Sequence, residues 1–262
     1  MKIAGLQKLT LLDYPGKTAA TVFTKSALWQ NGQRKLHPCP FCHNADLVTP
    51  ASDKPSPMLL PEEEFFAFLK KRQGLLDGIC ITGGEPTLQH DLANFCKRIK
   101  DLGFLVKLDT NGSHPAILQY LLENALIDYV AMDVKNSPVH YAETVGFGAT
   151  NDTSSKCNFE IQPIENSMSL LLQGTIPFEF RTTVLNELHT KDFLLETAHW
   201  IAGLANKNAY PLSNVAWFIQ QFVDSETVFT GEGVFTPWNE DELRSLLPTL
   251  QAILPKTALR GV

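Results

Sequence analysis

The chain has 262 residues, of which 44% are hydrophobic and 19% are charged, and its formal net charge is −6. This composition predicts one large globular domain with an ample core, and it speaks against a nucleic-acid partner, which would need a basic face. No run approaches the roughly 18 consecutive apolar residues of a membrane span, and the first residues show no apolar signal segment. We therefore expect a cytoplasmic protein that does not associate with a membrane.

Short apolar runs alternate with amphipathic segments along the chain. Six runs are rich in Val, Ile and Phe, as is typical of strands buried on both faces of a parallel sheet. The predicted strands are Ala19–Thr24, Gly78–Thr82, Phe104–Asp109, Asp128–Val134, Phe178–Val184 and Val215–Phe222. The predicted helices begin at Pro61 and Pro115, span Leu88–Leu102, Glu165–Gln173 and Lys191–Leu204, and run from near Pro237 to about Leu254. This order predicts an α/β fold with parallel strands, either open or curled into a partial barrel.

Three stretches interrupt the alternation. Residues 50–61 are rich in Pro and Ser, and residues 146–156 are rich in Gly, Asn, Ser and Thr, so both are predicted as surface loops. An added segment also follows the first predicted strand. We interpret the chain as a single domain over residues 1–262, with loop insertions near residues 25–38, 50–61 and 146–160.

Polar residues follow the predicted strands at the ends where parallel βα folds place function. In chain order these residues are Gly83-Gly84-Glu85, Asn111, Asp133, Arg181 and Gln221. Taken singly, the glycines and Asn111 also fit ordinary tight turns, and Asp133 fits an ion pair with Lys135. Arg181 is harder to explain by structure alone, because a permanent cation in an apolar strand needs an anion.

The chain has five cysteines, and only Cys39 and Cys42 are close in sequence. Three interpretations of this Cys-x-x-Cys pair are open: a thioredoxin-like redox pair, half of a zinc site, or ligands of an iron–sulfur cluster. The last is favoured, because two thiolates on one tight loop can bind neighbouring irons. Cys80 and Cys96 lie on predicted apolar faces, and we expect both to be core residues.

Together these residues resemble the radical S-adenosylmethionine (SAM) superfamily, and within it the anaerobic ribonucleoside-triphosphate reductase activating proteins. The matching segments cover nearly the whole chain. They are Leu11–Lys17, Cys39–Asn44, Gly83–Pro86, Asp109–Gly112, Met132–Lys135, Glu179–Val184, Gln220–Phe222 and Leu259–Val262. The activases of pyruvate formate-lyase share most of this pattern. The resemblance implies a partial (β/α)6 barrel with parallel strands.

The resemblance also implies cofactors and partners. A 4Fe–4S cluster with three cysteine ligands would cleave SAM reductively, and the resulting radical would install a glycyl radical on the large subunit of anaerobic ribonucleotide reductase. Reduced flavodoxin or ferredoxin would be the electron donor. A monovalent cation would bind at the positions that Asp109, Thr110 and Asp133 occupy.

By matching position, the resemblance assigns each candidate residue a part of SAM. Gly83, Gly84 and Glu85 would meet its amino group. Its ribose and carboxylate would meet Asn111, Asp133 and Arg181, and its adenine would lie between Phe41 and the strand around Gln221. The cluster ligands would be Cys39 and Cys42.

One cysteine of the family motif Cys-x-x-x-Cys-x-x-Cys is missing. The residue four before Cys39 is Lys35, and if the motif is aligned from the preceding strand instead, Ser26-Ala27 stands where the family has Gly-Cys. A substitute ligand would complete the cluster in one account; His37 is the leading candidate, and the other candidates are Ser26, His43 and Cys157.

Two other accounts of the missing cysteine stay open. The cluster could be bound by two cysteines only and be labile, or the chain could be a cluster-deficient, non-catalytic homologue. A further alternative is a radical SAM enzyme of the 7-carboxy-7-deazaguanine synthase type, which acts on a small molecule. Some enzymes of that type have a longer cluster loop, although they keep the first cysteine.

Overall fold

The computed structural model describes residues 1–26, 29–30, 33–34, 39–48, 58–147 and 159–261. The chain forms two compact units. The first comprises residues 1–36, 46–131 and 175–177, and the second comprises residues 37–45, 132–174 and 178–262. Within the described ranges, no helix combines the length and the apolar character needed to cross a membrane.

The secondary structure alternates between strands and helices over most of the chain. The strands are β1 (Ile3–Thr10), β2 (Ala19–Thr24), β3 (Trp29–Gln30), β4 (Gln33–Arg34), β5 (Gly78–Gly83), β6 (Leu105–Thr110), β7 (Tyr129–Asp133), β8 (Phe178–Val184), β9 (Ala216–Gln221) and β10 (Lys256–Arg260). The helices are α1 (Ala45–Val48), α2 (Glu62–Lys70), α3 (Leu92–Asp101), α4 (Pro115–Glu123), α5 (Tyr141–Thr144), α6 (Gln162–Leu171), α7 (Lys191–Lys207) and α8 (Glu240–Ile253).

The first unit contains neighbouring strands in the order β1-β2-β5-β6. β1 is antiparallel to β2, whereas β2, β5 and β6 are parallel, with Thr24 opposite Gly83 and Cys80 opposite Lys107. Most residues of β2 and β5 are buried, which accounts for their apolar composition. Cys80 and Cys96 are completely buried, so the prediction that both are core residues is confirmed.

The second unit contains the parallel strands β8, β9 and β10 in that order. Arg260 on β10 reaches across β9 and donates two hydrogen bonds, of 2.7 and 2.8 Å, to the carboxylate of Glu179 on β8. Its guanidinium lies over the ring of Phe218 on β9, 3.4 Å from the ring centroid. These side chains connect the three strands of this unit.

The α/β class and the mostly parallel sheet predicted from the sequence are confirmed. The six predicted strands are present: two have the predicted bounds, and the ends of the other four differ by one residue at most. Four further strands, the short pair β3 and β4 and the longer β1 and β10, were not predicted. α8 begins at Glu240 and not near Pro237, because the side chain of Asn239 accepts hydrogen bonds from the backbone of the first turn.

The predicted loop insertions lie largely outside the described residues. Of the first, the structure describes the short antiparallel pair of β3 and β4. Residues 49–57 and 148–158, which make up most of the second and third insertions, are not described. The division of the chain into one domain of 262 residues stays a prediction.

Candidate functional site

The turn after β5 requires glycine at two consecutive positions. Gly83 has a φ of +113°, and a Cβ atom there would fall on the backbone of Thr24 at the end of β2. A Cβ atom on Gly84 would lie 2.6 Å from the hydroxyl oxygen of Ser26. The ends of β2 and β5 therefore approach so closely that no side chain fits between them.

Ser26, which follows the end of β2, stabilises this turn through hydrogen bonds. Its Oγ accepts a hydrogen bond from the backbone N–H of Glu85 at 2.8 Å and lies 2.9 Å from the carbonyl oxygen of Glu85, to which it donates. The backbone N–H of Ser26 donates to the carbonyl of Leu47 at 2.9 Å, and the residue is only 1% exposed. The hydroxyl of Ser26 is thus engaged both as donor and as acceptor.

The carboxylate of Glu85 connects the ends of β5 and β6. Its Oε1 accepts hydrogen bonds from the backbone and the hydroxyl of Thr87, at 3.1 and 2.6 Å, and from the hydroxyl of Thr110 at 2.8 Å. Its Oε2 accepts from the backbone N–H of Asn111 at 2.8 Å. With four donors on a side chain that is nearly completely buried, Glu85 positions its neighbours. A ligand at this turn would contact the main chain of Glu85 and not its carboxylate.

Asn111 itself is partly exposed at the end of β6. Its Oδ1 accepts a hydrogen bond from the backbone N–H of Ser113 at 2.9 Å, which closes an Asx turn. Both interpretations of the Asn111-Gly112 pair, as a turn and as a contact to a ligand, therefore stay compatible with the structure.

In the second unit, one carboxylate faces two cations. Asp133 accepts from Lys135 Nζ at 2.8 Å and from Arg181 Nε at 3.0 Å. Burial works to raise the pKa of Asp133, but the charges of Lys135 and Arg181 outweigh it and lower that pKa to about 2. Since the aspartate stays ionised, this largely buried group places two cationic side chains beside one carboxylate, which suits an anionic ligand.

The Cys39-Pro40-Phe41-Cys42 segment forms a tight turn in the same unit. The backbone N–H of Cys42 donates to the carbonyl of Cys39 at 3.0 Å, and the Cys42 carbonyl accepts from the backbone of Phe229 at 2.9 Å. Burial raises the pKa of both thiols, that of Cys39 to about 11, although the ammonium of Lys135 opposes the shift. The two cysteines are therefore thiols in the metal-free chain.

Aromatic side chains fix the ends of this turn. Phe41 is 3% exposed and packs with Leu185, Phe222 and Val228 in an apolar cluster. His43 stacks on the ring of Phe222 with ring centroids 5.2 Å apart, and its Nε2 is bonded to the carbonyl of Val223. Phe41 is thus an interior anchor of the turn, and its assignment to the adenine of SAM stays a proposal.

Gln221 lies at the end of β9, as predicted, and is partly buried. Its Nε2 donates to the carbonyl of Trp238 at 2.7 Å. The side chain of Gln221 is thus bonded within this unit, and its assignment to the adenine of SAM stays a proposal.

Two residues of this unit that the site predictions did not include support the charged group. His189 bonds through Nε2 to the carbonyl of Lys135 at 2.8 Å, and its Nδ1 accepts from the backbone of Leu185 at 3.3 Å. The hydroxyl of Tyr141 lies 3.4 Å from the carbonyl of Asp133. Neither residue stands at a strand end or in a recognisable motif, so no signal in the sequence pointed to them.

The donor set for an iron–sulfur cluster is incomplete in the part of the chain that the structure describes. Cys39 and Cys42 supply two thiols on one turn, and no group of three or more His, Cys, Asp or Glu side chains there could hold a metal ion. His37 and Cys157, both candidates for a third ligand, lie outside the described residues. The residues described therefore do not match the three-thiolate set of the family.

Comparison with known proteins agrees with this fold. Residues 36–157 match the sequence profile of the radical SAM superfamily. A protein of Methanocaldococcus jannaschii, provisionally named a glycyl-radical enzyme activating enzyme, is 30% identical over 201 residues, which cover 75% of this chain and 73% of that protein. The chain belongs to the radical SAM superfamily, whose members use a 4Fe–4S cluster and SAM.

Two further similarities are more limited. The 7-carboxy-7-deazaguanine synthase of Thermococcus kodakarensis is 35% identical over 91 residues, which cover 34% of this chain and 35% of that enzyme. The crystal structure of Streptococcus suis SuiB bound to S-adenosylmethionine superposes with a TM-score of 0.59 at 12% identity. That superposition covers 86% of this chain and 49% of SuiB, so the chain spans about half the length of SuiB, and the similarity concerns the fold.

Proposed function

We propose that this chain is a radical SAM protein of the glycyl-radical activase type and that its client is anaerobic ribonucleoside-triphosphate reductase. The ordered motifs and the similarity to the M. jannaschii protein support the activase type. The observation that carries SAM binding is the charged group of Asp133, Lys135 and Arg181. Two cationic side chains beside one carboxylate, in a largely buried position, suit the carboxylate of the SAM methionine moiety.

The family motifs suggest which part of SAM each candidate residue would contact. The main chain of Gly83, Gly84 and Glu85 would accept hydrogen bonds from the amino group, and the Glu85 carboxylate would hold that turn in place. Arg181 would bind the SAM carboxylate, and Asp133 would orient Arg181. Asn111 would contact the ribose.

Cys39 and Cys42 would supply two of the three cluster ligands. A reduced 4Fe–4S cluster, when bound, supplies the electron that cleaves SAM. Because the described donor set is incomplete, we propose that the unmodified chain binds a cluster weakly and cleaves SAM slowly. The hydroxyl of Ser26 is already engaged by Glu85, and Nε2 of His43 by Val223, which leaves His37 and Cys157 as the candidates for a third ligand.

A second candidate function is a radical SAM enzyme of the 7-carboxy-7-deazaguanine synthase type. The similarity to the T. kodakarensis enzyme and the lengthened segment between β2 and Cys39 favour it. A neighbouring gene that encodes a glycyl-radical reductase, with a glycine-rich radical loop near its C-terminus, would favour the activase instead.

The client assignment is tested with the reductase itself. Anaerobically reconstituted protein, in its natural form and as the Ala27→Cys variant, is mixed with SAM, a reductant and the large subunit of anaerobic ribonucleotide reductase. Electron paramagnetic resonance should then detect a glycyl radical, and none should form on a reductase variant whose radical-loop glycine is replaced by alanine. SAM cleavage that leaves no radical on the reductase would refute the client.

A further inference from the structure

A lysine is buried beside an aspartate in the interior of the first unit. Lys107 on β6 is 2% exposed, and its ammonium contacts Oδ1 of Asp109, two residues along on the same face of the strand. The ammonium also lies 3.7 Å from Sγ of Cys80, directly opposite on β5, and 5.9 Å from the ring centroid of Tyr129. Neither the motifs nor the proposed SAM site gives this lysine a role.

The position of Lys107 bears on the monovalent cation that the family resemblance implies. That cation would bind at Asp109, Thr110 and Asp133. A buried ammonium is stable only beside an anion, so Lys107 and Asp109 form a neutral pair. An added cation about 5 Å from the ammonium, at an effective dielectric constant of about 20, would bind on the order of a hundred-fold more weakly than at an unpaired carboxylate.

The other two expected cation ligands are also engaged. The hydroxyl of Thr110 donates to Glu85 Oε1 at 2.8 Å and accepts from the backbone N–H of Gly112 at 3.1 Å. In the second unit, Asp133 is already paired with Lys135 and Arg181. In each unit, contacts within that unit already engage the groups that would bind the cation.

We propose that Lys107 is a tethered cation: its ammonium supplies, inside the chain, the positive charge that a bound K⁺ or Na⁺ would supply at Asp109. The folded protein then needs no monovalent cation for stability. This inference does not depend on the client or on the cluster. It rests only on contacts within the first unit and on the ion pairs of Asp133 within the second.

Thermal unfolding in different salts tests the proposal. The midpoint of the unmodified chain is measured at constant ionic strength while choline chloride is replaced by KCl, NaCl or NH₄Cl. We expect the same midpoint in all four salts. The variant Lys107→Met leaves the carboxylate of Asp109 without its ammonium, so its midpoint should fall by several degrees in choline chloride and recover most of that loss in KCl or NH₄Cl.

Lys97→Met is the matched control, because it removes a lysine whose aspartate partner, Asp101, is exposed. It should show no dependence on the salt. If Lys107→Met does not fold in any salt, Lys107→Gln replaces it, since the amide keeps a hydrogen-bond donor. A midpoint of the unmodified chain that rises selectively with K⁺ or Na⁺ would overturn the proposal, and so would a Lys107 variant that no cation restores.

Discussion

The hydroxyl of Ser26 and the backbone of Glu85 bond to each other in both directions, at 2.8 and 2.9 Å, across the ends of β2 and β5. The N–H and the carbonyl of Glu85 are buried, and the proposed SAM contacts lie in the same turn. A single hydroxyl at the end of one strand therefore sets the conformation of the turn that follows another.

Ser26→Ala should loosen this turn. It leaves the buried N–H of Glu85 without its partner, whereas the Glu85 carbonyl still accepts from the backbone N–H of Leu88 at 3.1 Å. The free energy of unfolding should therefore fall by about 1–3 kcal/mol. Hydrogen exchange of the Glu85 amide should accelerate as well. Ser225→Ala is the control, because its hydroxyl bonds to the exposed side chain of Thr227 and not to a buried backbone group of the described residues. Unchanged exchange at Glu85 would show that the hydroxyl contributes nothing to the turn.

Arg181→Ala should weaken SAM binding. The charge-assisted bond to the SAM carboxylate is worth about 1.5–3 kcal/mol, which corresponds to a loss of affinity of roughly ten- to a hundred-fold. Isothermal titration with SAM measures it directly. Arg244→Ala, which removes an exposed arginine paired with Glu240, should bind SAM normally. Equal affinity of Arg181→Ala and the unmodified chain would limit Arg181 to a structural role.

Arg260→Met should destabilise the second unit. The carboxylate of Glu179 is 2% exposed and would lose its bidentate partner, but Arg260 is 36% exposed, so solvent screens part of the loss. We expect a cost of about 1–3 kcal/mol. In a double-mutant cycle with Glu179→Gln, the losses of unfolding free energy in the two single variants should not add up to the loss in the double variant. Additive effects in denaturant unfolding would contradict the coupling.

The pH dependence of stability should contain a contribution from His189. Burial lowers the pKa of this imidazole, and its Nδ1 accepts from the backbone N–H of Leu185, so the folded state holds it neutral. Its unfolded pKa is about 6.5, so the unfolded state binds more protons below that pH. The contribution is therefore complete above about pH 6.5 and is lost as the pH falls through the lower folded pKa.

His189→Gln should flatten this part of the profile. Thermal midpoints of the unmodified chain and the variant, measured between pH 7.5 and 5 in about half-unit steps, should converge as the pH falls. Asp133 does not interfere, since its pKa of about 2 places its effect at much lower pH. Parallel profiles would show that His189 does not titrate with unfolding.

The sequence predicted the strands that contain clear apolar runs and missed the strands at the two edges of the sheet, β1 and β10. β2 and β5 are almost continuous apolar runs, so their pattern is plain. Among the missed strands, β1 lacks a continuous apolar run and has only its ends, Ile3 and Thr10, buried, and β10 begins with the exposed Lys256. At an edge, pairing with the neighbouring strand outweighs composition, and a single sequence does not reveal it.

A residue of the candidate site could be predicted where its type is unusual for its surroundings. It could not be predicted where its role depends on a partner that lies far away in the sequence. Gly83 and Arg181 stood out from their surroundings. Ser26 and Lys107 did not, because a serine after a strand and a lysine within one usually face solvent. Their roles follow only from contacts with Glu85 and Asp109 in the folded chain.

The most direct test of this account is the iron content and SAM cleavage of the anaerobically reconstituted chain. The unmodified protein should hold well under four irons, the content of a 4Fe–4S cluster, lose them on gel filtration, and form little 5′-deoxyadenosine. Ala27→Cys or Lys35→Cys, which restores a third thiolate, should raise both iron content and cleavage. Full turnover by the unmodified protein, unaffected by His37→Ala or Cys157→Ala, would contradict the account.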